Sequence, residues 1–179
     1  MNIQLSFEGC ARVFGDDVNT DYIIASTRKR DTLDESVLKR YLLEAVDPSF
    51  AASVQPGDLI VAGANFGCGS AMEIAATVIL AAGIKAVLAR SFSRTFYRNA
   101  VNNALLPIAC DTRSIREGDR LRVSLDDGRA IVELVDRNET LAAAPLAPLM
   151  ADVLSAGGLV PYVRNGGYGA DRGSDVEQR

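Results

Sequence analysis

The sequence predicts an α/β fold whose strands pair in both senses, and three observations carry it. The apolar runs at 58–63, 84–89 and 105–109 are short and rich in Val, Ile, Leu and Ala, as strands buried on both faces are. The first two flank a helical run at 74–82 that ends at Gly83, and strand, helix, strand in succession implies a right-handed parallel crossover. Further along, residues 121–125 and 129–134 face each other across Asp126-Asp127-Gly128, a hairpin signal, so parallel and antiparallel pairing are mixed.

The other elements follow in order. Residues 3–14 alternate loosely and suit a strand, and the polar cluster at 15–21 that follows is a turn and a candidate wall of a site. A helix is expected over 34–45, where Val37, Leu38, Tyr41, Leu42 and Ala45 recur at three- and four-residue steps and Asp47-Pro48 supplies the stop. Residues 92–103 read as another helix. A last short one is expected at 150–155, between an Ala- and Pro-rich stretch and Gly157-Gly158. From Asn165 onward the chain is rich in glycine and charge, so the reading is one domain over 1–164 and a mobile tail over 165–179, with no internal repeat.

A chain of 179 residues with 48% hydrophobic content can bury one core. Its net charge of −4 argues against a nucleic-acid surface, since the basic residues are dispersed apart from Arg28-Lys29-Arg30. Five tyrosines, six phenylalanines and no tryptophan offer no evident platform for stacking bases. Cys10, Cys68 and Cys110 are odd in number and lack paired spacing, which excludes a zinc ribbon and a disulfide framework and suits a reduced, cytoplasmic setting. No apolar stretch approaches the length of a membrane span, and the first residues do not resemble a signal peptide, so neither membrane nor nucleic acid is expected as a partner.

The segment with most chemistry is Gly63-Ala64-Asn65-Phe66-Gly67-Cys68-Gly69-Ser70-Ala71-Met72-Glu73, a glycine-punctuated turn from strand to helix. Such a turn suits an anion, because the first amides of a helix have no partner within it. It lacks a Walker lysine and a complete G-x-G-x-x-G, which weakens a nucleotide-binding reading. Ser70 is either a reactive hydroxyl or the N-cap of a helix over 71–82, and with Glu73 it satisfies the capping-box pattern, so Glu73 reads as structural. Cys68 reads as a small residue filling the turn. The chain has no histidine, so proton transfer at neutral pH must fall to another residue. Arg28-Lys29-Arg30 is either a solvated loop or a carboxylate clamp.

The same loop resembles the active-site loop in small subunits of the aconitase superfamily, above all 3-isopropylmalate dehydratase and homoaconitase, whose pattern is Gly-x-Asn-Phe-Gly-Cys-Gly-Ser-Ser-Arg-Glu-His. Ala71, Met72 and Ile74 stand where that pattern has serine, arginine and histidine. Two further segments match in order, from Phe14 to Ile24 and from Ala89 to Ala100, and the likeness spans about residues 8–163. It implies a three-layer β/β/α swivelling domain resembling the fourth domain of aconitase. It also implies a hydro-lyase active only with a large subunit, which would carry a [4Fe–4S] cluster that this chain does not bind. Ser70 would be the base. Thr20, Asp21, Gly69, Ala71 and Met72 would line the substrate site, and Arg28 and Arg30 would occupy the specificity loop. The substrate class implied is a hydroxy di- or tricarboxylic acid: 3-isopropylmalate of leucine biosynthesis, or, given the departures, a methylated or homoaconitase-type malate. A paralogue that pairs without turnover is the structural alternative.

Overall fold

The computed structural model describes residues 5–30, 32–126 and 128–167, so most of the tail expected over 165–179 lies outside the described residues. Strand β1 (Leu5–Val13) is the pivot of a seven-stranded sheet, because its two halves pair in opposite senses. Its C-terminal half runs parallel to β2 (Leu59–Ala62), with Arg12 opposite Ile60, and the parallel set continues through β3 (Ala86–Ala89) and β4 (Leu106–Ala109). Its N-terminal half is antiparallel to β5 (Arg120–Asp126), with Phe7 opposite Val123, and β6 (Arg129–Leu134) and β7 (Glu139–Ala142) follow as a meander. The strand order is therefore β4-β3-β2-β1-β5-β6-β7.

Two cores, one on each face of the parallel strands, make the three layers. Ile60, Ala62, Val87 and Ala89 point one way, into a cluster with the helical side chains Ile23, Leu38, Leu42, Val78, Ile79 and Phe96. Leu59, Val61, Ala86 and Leu88 point the other way, against Leu121, Val123, Val132 and Leu134 of the antiparallel strands. The period-two alternation of a strand thus divides one sheet between a helical layer and a second β layer, as the resemblance implies.

The helices are α1 (Thr20–Ile23), α2 (Glu35–Leu38), α3 (Phe50–Ser53), α4 (Ile74–Ala81), α5 (Arg94–Asn102), α6 (Pro148–Ser155) and α7 (Leu159–Arg164). The long helix expected over 34–45 is not formed. After α2 the chain tightens into a 3₁₀ turn at Lys39–Tyr41, and Leu43 adopts a left-handed φ of 57°. Leu42 and Leu43 are both fully enclosed at the break, and the reason for it is a contact distant in sequence. The Leu43 amide instead bonds the Ile23 carbonyl at 2.9 Å. Strand β7 and helices α1, α3 and α7 were not anticipated from sequence. No helix among the described residues is long and apolar enough to cross a membrane.

Candidate active site

Because β1, β2 and β3 are mutually parallel, the loops after their C-terminal ends emerge along one edge, where α/β sheets form their ligand crevices. These loops contain the three segments singled out in the sequence. Backbone bonds join them: Asp17 N–H to Ala64 O at 2.9 Å, Gly67 N–H to Val18 O at 2.8 Å, Thr20 N–H to Cys68 O at 2.8 Å, and Phe66 N–H to Ser91 O at 3.0 Å. The Ser93 hydroxyl adds a bond to the Gly67 carbonyl at 2.6 Å while capping α5.

Two glycines allow this close approach. Gly67 has φ 74°, and a Cβ there would lie 2.2 Å from the Phe96 ring; Gly69 has φ 90°, and a Cβ there would lie 2.4 Å from Asn19 Oδ1. Asn19 caps α1, its side chain accepting the Asp21 amide at 2.9 Å, so the two loops interlock through side chain as well as backbone.

Ser70 does not cap a helix. Helix α4 starts at Ile74, and no side chain caps it. In a helix beginning at Ala71 the Ser70 carbonyl would accept the Ile74 amide; here it accepts the Thr20 hydroxyl, 2.9 Å away. Met72 turns into the core, 7% exposed, and its carbonyl receives the Ala75 amide. The capping box expected from Ser70 and Glu73 is absent too, since Glu73 accepts from the Asn103 side-chain amide at 3.1 Å. Ser70 is left exposed with its hydroxyl uncommitted, and among the described residues none of the amides of Gly69, Ser70, Ala71 and Met72 donates a hydrogen bond. Undonated amides on the exposed residues Gly69, Ser70 and Ala71, beside a hydroxyl, make an anion-receiving surface.

Thr20 is buried and acts through the Ser70 carbonyl, while the Asp21 carboxylate accepts from the Ser26 amide at 3.2 Å and from the Ser26 hydroxyl. The three cations at 28–30 diverge. Arg28 forms a fork on Glu44, with distances of 2.8 and 2.9 Å, and lies 3.9 Å over the Tyr41 ring. Arg30 is exposed, its backbone amide closing a turn to Thr27. Lys29 alone is seen to reach the loop of Ser70, its Nζ 2.6 Å from Met72 Sδ. Asn19 and Ser26 escape the sequence reading, which takes Lys29 only as one of the cluster Arg28-Lys29-Arg30. The Asn-x-Asp spacing of a helix N-cap could have found Asn19; nothing local signals Ser26.

On the far side of the loop, Asp16 accepts the Ala64 amide at 2.8 Å and pairs with Arg90. The amide bond first, then the guanidinium, hold its pKa below the ordinary 3.8. A depressed carboxylate stabilises the fold above its unfolded pKa and ceases to do so as pH falls through the folded one. The Ala64 amide should therefore lose exchange protection as pH drops below 3.8, and an Asp16→Asn protein should show weak protection at every pH, measured by hydrogen exchange corrected for the intrinsic rate.

The cysteines do not fit an iron–sulfur cluster. Cys10 is exposed on β1, Cys68 lies in the loop, and Cys110 is buried, where desolvation pushes its thiol up to about 11. Among the described residues no group of three or more His, Cys, Asp or Glu side chains could hold a metal ion.

The aconitase C-terminal domain family model matches residues 18–113, which takes in the second and third loops whole and the first from Val18. The chain is 45% identical over 159 residues to the 3-isopropylmalate dehydratase small subunit of Moorella thermoacetica, covering 87% of this chain and 93% of the relative. It is 43% identical to the methanogen homoaconitase small subunit of Methanocaldococcus jannaschii, covering 88% and 91% respectively. The crystal structure of a 3-isopropylmalate dehydratase from Methanocaldococcus jannaschii superposes with a TM-score of 0.86 at 41% identity, over 91% of this chain and 96% of that one. A mixed β/β/α swivel, the interlocked Ser70 loop and these relatives together place the chain: it belongs to the aconitase C-terminal domain family, with the small subunits of 3-isopropylmalate dehydratase and homoaconitase.

Proposed function

We propose that this chain is the small subunit of a two-subunit aconitase-type hydro-lyase that removes and re-adds water across a hydroxy di- or tricarboxylic acid, in a site shared with a large subunit. The observation that supports the reading most is the exposed Ser70 hydroxyl, free of any capping role, on a loop whose four consecutive amides donate to nothing among the described residues. Ser70, as alkoxide, takes the proton from the carbon next to a substrate carboxylate. The released electron pair forms the carbon–carbon double bond, and the neighbouring carbon loses hydroxide. The amides of Gly69 to Met72 stabilise negative charge on Ser70 Oγ and on the substrate, in a site that closing subunits would shield from water. Thr20 holds the loop in register and Asp21 orders the segment at 21–26, both as positioning residues.

The [4Fe–4S] cluster expected of the complex is assigned to the large subunit, since the cysteines here do not suit one. The names of the relatives point to 3-isopropylmalate or a homoaconitase-type substrate, and Met72 and Ala71 favour a related methylated or tricarboxylic malate. The assembled enzyme is proposed to work in the cytoplasm, with neither nucleic acid nor membrane as partner, and the tail from 165 is proposed to lie outside the domain.

The test is reconstitution under anaerobic conditions with the large subunit, following double-bond formation by ultraviolet absorbance over a panel of 2- and 3-substituted malates, citrate and homocitrate. Each subunit alone is expected to be inactive and the mixture active. Turnover by the large subunit that is indifferent to this chain would overturn the proposal, and a stable complex that turns over none of the panel would favour an inactive structural partner.

A further inference from the structure

We propose that Asn65 is a positioning residue for the reaction, a clip whose backbone and side chain fix the Ser70 loop against the loops on either side of it; this rests on the hydro-lyase reading above. Its backbone amide donates to the Ser91 hydroxyl at 2.8 Å, and its side-chain amide donates to the Asp17 carboxylate at 2.7 Å. One residue thereby ties together the loops that follow β1, β2 and β3.

The backbone narrows the choice of side chain. Asn65 and Asp17 both have a left-handed φ, 60° and 56°, a region that asparagine and aspartate tolerate better than other residues with a side chain. Glycine would take that shape freely but could not reach Asp17. Aspartate would take it too, yet would set a second carboxylate against the first where a donor is required. Only a short side chain that tolerates the turn and also donates meets both demands. Both residues are exposed, so losing the bond should cost little stability. What the bond fixes is direction. Straight after Asn65 the chain enters the buried pair Phe66 and Gly67, where the Phe66 carbonyl accepts the Ser93 amide at 2.9 Å and the Gly67 amide bonds the Val18 carbonyl. Ser70 stands three residues further on. A base displaced by about 1 Å loses rate while the substrate still binds, so the effect of the clip belongs in kcat rather than KM.

The test uses the assembled two-subunit complex. Asn65→Gly keeps the left-handed turn and deletes the side-chain bond, and Asn65→Asp turns the bond into a repulsion. The reciprocal swap Asp17→Asn/Asn65→Asp reverses donor and acceptor at two positions that suit either residue. In both single variants kcat should fall about tenfold or more, with KM within about threefold of the parent and Tm within about 4 °C, and the swap should recover most of the rate. Hydrogen exchange gives a second readout: the Gly67 amide, which bonds across the first two loops, should exchange about tenfold faster in Asn65→Asp and return to the parent rate in the swap. A kcat within about twofold of the parent in Asn65→Gly would show that backbone shape alone positions the loop, and overturns the proposal. So does a swap that stays as slow as Asn65→Asp, or a kcat that falls only as far as the folded fraction does. Gly67 exchange that quickens and recovers as expected, in a complex whose parent turns over no malate, would sink the hydro-lyase reading while the clip itself stands.

Discussion

Ser70→Ala is expected to lower turnover of the assembled enzyme by roughly 10²–10⁴-fold, the range lost when a positioned general base is removed. Stability should hardly move. Ser70 is exposed, its hydroxyl bonds nothing among the described residues, and α4 begins four residues later, so even the roughly 1 kcal/mol that an N-cap serine contributes is not at stake. What Thr20 grips is the Ser70 backbone carbonyl, which alanine retains. The measurement pairs initial rates with thermal unfolding of the same preparation. A rate that falls only as far as the folded fraction falls would make Ser70 structural and remove the base from the mechanism.

The second large effect is on stability. Phe96 is 1% exposed and sits where Gly67 has no side chain, packed edge-on to Phe66 at 5.0 Å and stacked with Phe92 at 6.3 Å. Phe96→Ala removes the floor of the Ser70 loop and leaves a cavity, at a cost of about 3–5 kcal/mol. With about 2–4 °C lost per kcal/mol in a domain of this size, Tm should fall on the order of 10 °C by circular dichroism. Phe96→Leu should recover much of that. A shift below about 3 °C for the alanine variant would show that the loop does not depend on this aromatic cluster. Activity should fall further than folded fraction in Phe96→Ala, because Gly67 and the residues after it lose the surface that holds them.

Much of the fold was legible because its signals are local. The buried strands at 59–62, 86–89 and 106–109 are short apolar runs closed by turns, and the hairpin of β5 and β6 is marked by Asp126-Asp127-Gly128. What failed depends on contacts distant in sequence. The helix expected over 34–45 had the right period, yet Leu43 takes a left-handed φ and its amide bonds the distant Ile23 carbonyl, a tertiary contact that outweighed the propensity of the segment. Strand β7 has the half-exposed alternation of an edge strand, with too few apolar residues to declare itself. At the site, the ordered motifs mark three loops that backbone bonds join, but a capping signature at Ser70 and Glu73 was a coincidence of spacing: the Thr20 hydroxyl, fifty residues away, takes the carbonyl that the helix would have used. The same distance effect hid Lys29, which sequence grouped with two arginines and the structure separates from them.

That Ser70 works inside a site shared with a large subunit is tested most directly by competition. The large subunit is held limiting and saturated with this chain, while Ser70→Ala chain replaces the parent at constant total concentration. Co-purification confirms that both bind equally. If Ser70 is the catalytic base within the shared site, the rate falls in proportion to the fraction of variant present and approaches zero when replacement is complete. A rate that stays level as the equally bound variant replaces the parent would contradict it.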